Sequence, residues 1–330
     1  MIISKTPYRI SFFGGGTDYP DWYLENGGEV ISTTINKYIY ISCRNLPSFF
    51  KHNYRIVYSK VENVKKISQI IHPVIKESLL FFFKKKISSG LEIHYNGELP
   101  ARSGMGSSSS FAVGLLNTLY TYFNYKINKK FLANKSIFLE RELLKETVGS
   151  QDQVAASFGG FNSIKFDKKG NYRIDPIFQK FEESLNLNKN LYLIYTDINR
   201  TAKLIANTYI KKLTNVKKKQ MLEIIDHVKI GKQLLKDKNF DDFGILLNET
   251  WKIKRSLSNK VSSNLIDDIY LQGINSGASG GKLLGAGGGG FVLFYVPNQN
   301  RVNFLRIMKK YKLFTFDFTN IGSSIVYNDE

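Results

Sequence analysis

Cysteine is almost missing from this chain. Cys43 is the only one in 330 residues, so no intrachain disulfide can form and a reducing compartment fits. Histidine is nearly as scarce: His52, His72, His94 and His227 are scattered without metal-ligand spacing, which argues against a metal hydrolase. Long apolar runs are absent too. The most apolar stretch, Leu79 to Phe83, is far shorter than the roughly 20 residues that span a bilayer. Met1 to Lys5 leads directly into a polar, glycine-rich stretch, so no signal peptide is expected. Acidic residues are in deficit, with 28 Asp and Glu against 47 Lys and Arg, a net charge of +19. The lysines lie in short groups such as Lys129-Lys130 and Lys217-Lys218-Lys219, and none reaches the length of a basic tail. The charge therefore reads as a solvated surface, one that would also favour an anionic small substrate. These features predict a soluble, cytoplasmic protein with no membrane and no nucleic-acid partner. A basic RNA-binding module stands as the non-enzyme alternative.

What the chain has in quantity is bulky apolar material, including 19 Tyr and 24 Phe. Thr33 to Cys43, Tyr54 to Tyr58 and Leu91 to Tyr95 are β-branched or aromatic with period-two character, which predicts strands. Ile67, Ile70, Ile71, Val74, Ile75 and Leu79 predict helix across 60–87. Further helices are expected over Phe111 to Phe123, and from about Lys130 to Lys145, where Gly149 ends the pattern. Residues 167–190 are polar and irregular, with a turn at Asp167 to Asn171. Leu191 to Tyr195 starts a new strand, long helical patterns follow over about 201–237 and 240–257, and Phe291 to Val296 is a buried strand. The sheet-then-helix order occurs twice, predicting two α+β domains, 1–185 and 186–330.

Four segments carry chemistry. In Pro100 to Ser110, Gly104 and Gly106 let the backbone turn where a Cβ would obstruct a phosphate, and Met105 lies between them. Ser107, Ser108 and Ser109 then open an apolar helix, offering amides and hydroxyls where a helix N-terminus favours anions. Such hydroxyls also suit Mg²⁺, a hard ion that prefers oxygen. A Walker A loop is excluded because no lysine stands here. A Rossmann fingerprint is excluded because no Asp or Glu occurs between Phe111 and Leu139. The second segment, Pro7 to Pro20, places Arg9 and Thr17-Asp18 around three glycines, and Asp18 is an acceptor suited to a polyol. In the third, Gly149 to Gly160, Asp152 as a base would need a cation beside it, for which Arg9 is a candidate. The fourth, Gly277 to Gly290, ends in four successive glycines that permit close backbone contact with a ligand or another loop.

Together these segments resemble the GHMP small-molecule kinases, the superfamily of galactokinase, homoserine kinase and mevalonate kinase. The three glycine segments stand in that family's order across residues 7–290. Within it, the chain most resembles the branch acting on D-glycero-D-manno-heptose 7-phosphate, through Gly14-Gly15-Gly16-Thr17-Asp18-Tyr19 and Gly149-Ser150-Gln151-Asp152-Gln153. The resemblance implies an α+β, two-domain GHMP kinase fold. Its N-terminal domain would be like ribosomal protein S5 domain 2 and its C-terminal domain ferredoxin-like, with ATP at their junction. It implies ATP phosphates on Gly104 to Ser109, Mg²⁺ on Ser108 and Glu140 (with Glu142 as the rival), Asp152 as the catalytic base and Arg9 as its partner. Asp18, with Gly15, Gly16 and Thr17, would hold the sugar, and Gly287 and Gly288 belong to the loop that closes over the site. The implied substrate is a small sugar phosphate, whose own phosphate is assigned to Arg200 or Arg44. The implied state is monomer or homodimer. Two departures stand out: Met105, Ser109 and Ser110 stand where the family's Gly-Leu-Gly-Ser-Ser-Ala-Ala loop has Leu and two Ala, and Gly15-Gly16 replaces the acid-His pair of galactokinases, which disfavours galactose.

Overall fold

Ile2, Ile3, Thr6, Tyr8, Ile10, Phe12 and Phe13, all β-branched or aromatic, favour β1 (Ile2–Phe13), which is buried throughout its second half. The computed structural model describes residues 1–84, 87, 89–198 and 202–329. β1 pairs antiparallel with β2 (Gly28–Leu46), from Ile2 opposite Cys43 to Phe13 opposite Ile31. Between them, Pro20 at the first helical position starts α1 (Pro20–Asn26). β2 contains the expected strand Thr33 to Cys43 and is 19 residues long, enough to serve different neighbours in succession. After β3 (Tyr54–Val57) and β4 (Val61–Val64) comes β5 (Gly90–Gly97), which pairs with the C-terminal part of β2. β6 (Phe161–Phe166) takes the N-terminal part and carries β7 (Tyr172–Pro176).

The second sheet is antiparallel. It contains β8 (Leu191–Tyr195), β9 (Gly280–Leu283), β10 (Phe291–Tyr295) and β11 (Lys312–Phe314) in the order β11-β8-β10-β9. The chain then returns to the first sheet: β12 (Phe318–Thr319) joins β2, and β13 (Ser324–Asn328) joins β1 on its open side. The last two strands thus belong with the first sheet, although they follow the second in sequence.

Two helical expectations need correction. The stretch 60–87 is not one helix. β4 pairs with β3, a 3₁₀ turn covers Ile67–Gln69, and helix begins only at α2 (Pro73–Ser78), continuing as a π turn through Leu79–Phe83. Pro73 sets that start, and Ile71, counted in the apolar pattern, is exposed. The stretch 201–237 is likewise broken. Before it come α3 (Ser107–Tyr122), α4 (Lys129–Phe138), α5 (Gln151–Phe158) and the short α6 (Leu185–Asn188); α7 (Ala202–Ala206) then stops and α8 runs over Lys218–Lys236. Thr208 Oγ1 donates to Ile205 O at 2.6 Å and bonds Ser258 Oγ, while Asn215 Oδ1 accepts from Val216 N. Such side chains compete with the helix for backbone groups. α9 (Phe240–Arg255) matches its expectation. α10 (Asn264–Asn275) does not appear in the sequence reading, although buried Ile266, Ile269, Tyr270 and Gly273 have helical spacing; α11 (Arg301–Met308) closes the set.

The two sheets share apolar packing. Phe243 of α9 meets Phe12 and Phe13 of β1 edge-on, with ring centroids 5.4 and 5.1 Å apart, and Phe12 also stacks on Phe161. All four rings are buried, and full burial of one Phe stabilises by about 1.5–3 kcal/mol. α3 is buried from Ser109 through Tyr120, as expected of a helix apolar all round. This packing holds the walls between the sheets in a fixed relation.

Candidate active site

A cleft of about 290 Å³ opens where the end of β1, the start of α3, the start of α5 and the loop after β9 converge. The loop before α3 is shaped by Gly104 and Gly106, with φ of 81° and 74°, in the left-handed region that favours glycine. Gly104 lies against the loop that follows β9, so close that a Cβ there would come within 2.5 Å of Leu284 O. Phe291 N at the head of β10 donates to Ser103 O at 3.2 Å, tying the same two loops together. Gly106 caps α3 without a side chain, so no side-chain acceptor covers the helix's first amides. Ser107, Ser108 and Ser109, the residues of that first turn, line the cleft.

Arg9 and Asp152 stand 143 positions apart in the chain and meet in a bidentate pair. Nε donates to Oδ1 and Nη2 to Oδ2, both at 2.7 Å. Arg9 Nη1 also donates to Gly104 O at 2.7 Å, so one buried guanidinium aligns the carboxylate and the glycine loop. Asp18 is buried nearby. It accepts from Gly16 N at 3.0 Å and Gln151 N at 3.4 Å, and Gly149 passes too close to its carboxylate to carry a Cβ. Burial pushes the Asp18 carboxyl up to about 6, and the negative charge of Asp152 adds to this, against the backbone donors.

Glu140 is the other buried acid. It sits in a π turn, Leu139–Leu143, that continues α4. It accepts from Ser108 Oγ at 3.0 Å, Ser109 Oγ at 2.7 Å and Gln153 Nε2 at 2.6 Å. Burial raises its carboxyl to about 7, opposed by those three donors and reinforced by the charge of Asp152. Glu142 points outward, half exposed, and pairs with Lys145 at 3.7 Å. Of the two rivals, Glu140 is the one that meets the serines. Among the described residues no group of three or more His, Cys, Asp or Glu side chains is gathered for a metal ion.

The structure brings Arg9, Gly15, Gly16, Asp18, Gly104, Gly106, Ser107, Ser108, Ser109, Asp152 and Gly287 to the cleft wall. Five expected residues are placed otherwise, and the first is Glu140, fully buried and in touch with the cleft only through Ser108 and Ser109. Thr17 is fully buried, and its hydroxyl donates to Gly14 O at 2.8 Å and Glu29 O at 3.0 Å, which uses it in the turn itself. The Met105 side chain is in the core, leaving its carbonyl to accept from Arg9 N at 3.1 Å. Gly288 N donates to Val261 O, and Gly287 and Gly289 line the cleft on either side of it. Arg44 pairs with Glu92 across β2 and β5 and is not part of the cleft wall. Arg200 lies outside the described residues.

Sequence reasoning missed two lysines. Lys254, in the last turn of α9, and Lys282, on β9, both line the cleft and both are buried. Lys254 looks in sequence like the ordinary cation of a helix C-terminus. Lys282 does leave a signal, as the single charged residue inside the glycine cluster 277–290.

Residues 72–160 match the family described as GHMP kinases N terminal domain. A D-glycero-alpha-D-manno-heptose 7-phosphate kinase of Campylobacter jejuni is 29% identical over 335 residues, covering 96% of each chain. A bifunctional fucokinase/GDP-fucose pyrophosphorylase of Arabidopsis thaliana is 23% identical over 331 residues, covering 92% of this chain and 30% of that one. Among solved structures, a D-glycero-D-manno-heptose 1-phosphate kinase from Bacteriodes thetaiotaomicron aligns over 100% of both chains with a TM-score of 0.79, at 21% identity.

Proposed function

We propose that this chain, whose residues 72–160 match the GHMP kinases N terminal domain and which is similar over 96% of its length to a heptose 7-phosphate kinase, is a phosphotransferase of that family acting on an alcohol group, an ATP-dependent sugar-1-kinase. Its acceptor in this reading is D-glycero-D-manno-heptose 7-phosphate, and its products are the 1,7-bisphosphate and ADP. The observation that carries the reading is the bidentate Arg9–Asp152 pair. It stands between a helix start bare of side-chain caps and the buried acceptor Asp18. The similarity to the Campylobacter jejuni enzyme over 96% of both chains supports the choice of acceptor.

In this reading, amides of the loop Gly104 to Ser109 bind the ATP phosphates at the N-terminus of α3. Asp18 accepts hydrogen bonds from sugar hydroxyls beside Gly15 and Gly16, while Gly287 borders the acceptor from the opposite loop. Asp152, held by Arg9, orients the anomeric hydroxyl. Its oxygen forms the new bond to the γ-phosphorus as the β–γ bridge bond breaks, ADP leaves with the bonding pair, and Asp152 takes the proton. Catalysis is mostly positioning, which the fixed Arg9 geometry provides. Glu140 with Ser108 fits a hard divalent ion, since a buried carboxyl and adjacent hydroxyl oxygens are the donors such an ion prefers. When bound, Mg²⁺ supplies charge neutralisation for the phosphates. The reading also takes the enzyme to be cytoplasmic and a monomer or homodimer. Its fit to a reducing compartment comes from the lone free Cys43, and no helix among the described residues is long and apolar enough to cross a membrane.

The test is ADP release with heptose 7-phosphate, fucose, galactose and mevalonate as acceptors. Highest kcat/KM with heptose 7-phosphate is expected; a higher value with any other would overturn the choice. Asp152→Asn should lower kcat by about 10²–10⁴ with ATP binding kept. Near-normal turnover in that variant would remove Asp152 from the base role.

A further inference from the structure

The cleft holds more positive charge than the Arg9–Asp152 pair uses. Lys254 and Lys282 are both buried, and each ammonium bonds a backbone carbonyl. Lys254 Nζ donates to Gly285 O, and Lys282 Nζ donates to Phe12 O at 2.5 Å. An ammonium carries three donors, so each has donors to spare. Among the described residues neither lysine forms a salt bridge. Buried cations without a counter-charge are costly, and these two also stand in each other's field and in that of Arg9. Burial brings the Lys254 amine down to about 8, with the nearby Arg9 charge adding to this and Asp18 opposing it. Burial lowers Lys282 well below the ordinary lysine value, and Lys254 and then Arg9 reinforce the effect. An anion placed between them would relieve all of these costs at once.

We propose that Lys254 and Lys282 form the seat for the phosphate that the acceptor sugar already carries. The assignment rests on the sugar-phosphate reading above. Two features favour the acceptor's phosphate over the nucleotide's. The nucleotide phosphates have their own donors, the amides from Gly104 to Ser109, on the first-sheet side of the cleft. The lysines belong to α9 and β9, outside the loop that supplies those amides, and Lys254 lies within the field of Asp18, the acid assigned to the sugar. The side cleft next to this one is a poorer candidate, because Arg141 and Lys211 there are offset by Asp21, Glu142 and Glu146.

Lys254→Met and Lys282→Met keep much of the side-chain volume and remove the charge. Kinetics with D-glycero-D-manno-heptose 7-phosphate and with unphosphorylated D-glycero-D-manno-heptose, together with thermal melting, test the proposal. Each variant should raise KM for the 7-phosphate at least tenfold, leave KM for the free heptose and for ATP within twofold, and melt no lower than wild type. An equal rise in KM for ATP would assign the lysines to the nucleotide and overturn the proposal. A fall in Tm with no change in KM would make them pillars for the Gly285 and Phe12 carbonyls and overturn it as well. If wild type prefers the unphosphorylated sugar, the acceptor reading fails and its phosphate is lost as occupant. Calorimetric binding of inorganic phosphate, present in wild type and absent in both variants, would then still support an anion seat. Equal binding in all three would remove it.

Discussion

Replacing Asp18 by Asn removes one buried carboxyl and its dependence on pH, and the structure gives the size of that dependence. Below pH 3.8 the carboxyl is protonated in both the folded and the unfolded chain, and it makes no pH-dependent contribution. Between 3.8 and about 6 the unfolded chain gives up the proton first, so rising pH favours unfolding across that window. Above about 6 both forms are ionised and the penalty is constant. A difference of about two pH units corresponds to about 3 kcal/mol. Burial is the main cause, and Asp18 is 2% exposed, so solvent screening removes little of this. The neutral amide of the variant carries no such penalty. Losing the bond from Gln151 N adds an offset, but one that does not change with pH. Urea unfolding of both proteins at pH 4, 5, 6 and 7, without nucleotide or divalent ions, reads the difference directly. The stability of the variant relative to wild type should rise by about 2 kcal/mol from pH 4, where the unfolded carboxyl is already partly ionised, to pH 6.5, and then level off. Parallel curves would mean that Asp18 is ionised at its ordinary value in the folded protein, and the account of its burial would be wrong.

Other expectations follow from the same geometry. Gly104→Ala adds a Cβ 2.5 Å from Leu284 O at φ of 81°. It should cost about 1–2 kcal/mol of stability and raise KM for ATP more than that for the acceptor; an unchanged KM for ATP would detach this loop from the nucleotide. Glu140→Gln should raise the Mg²⁺ concentration needed for half-maximal ADP release by about tenfold or more, on the loss of one charge-assisted contact of about 1.5–3 kcal/mol. Glu142→Gln, on an exposed side chain, should not, and equal effects in the two would return the choice between them to the start.

Much of the architecture is legible in the sequence where local chemistry sets it. Strands rich in β-branched and aromatic residues, such as Leu191 to Tyr195 and Phe291 to Tyr295, appear where periodicity places them. The gathering of Arg9, Asp18, the Gly104 loop and Asp152 around one cleft is legible only through the resemblance, because no local rule links positions 143 apart. Periodicity fails between 60 and 72, where strand pairing outweighs an apolar spacing of 3–4. It fails again at Thr208, where a hydroxyl diverts the backbone. Thr17 shows a different limit: the residue type suits a sugar, but the turn needs its hydroxyl first. Lys254 is hidden by its neighbours Lys252 and Arg255, which do what cations at a helix end ordinarily do.

The return of the last strands to the first sheet has a consequence for synthesis. Over Ile2–Lys5, β1 lies between β2 and β13, so that stretch of its outer edge is left unpaired until residues 324–328 have left the ribosome. An exposed edge of this kind invites pairing with other chains. The half of the molecule translated first, with Arg9 and the Gly104 loop, is thus completed last. A ribosome stalled before Phe318 would hold a nascent chain whose first sheet lacks two of its strands.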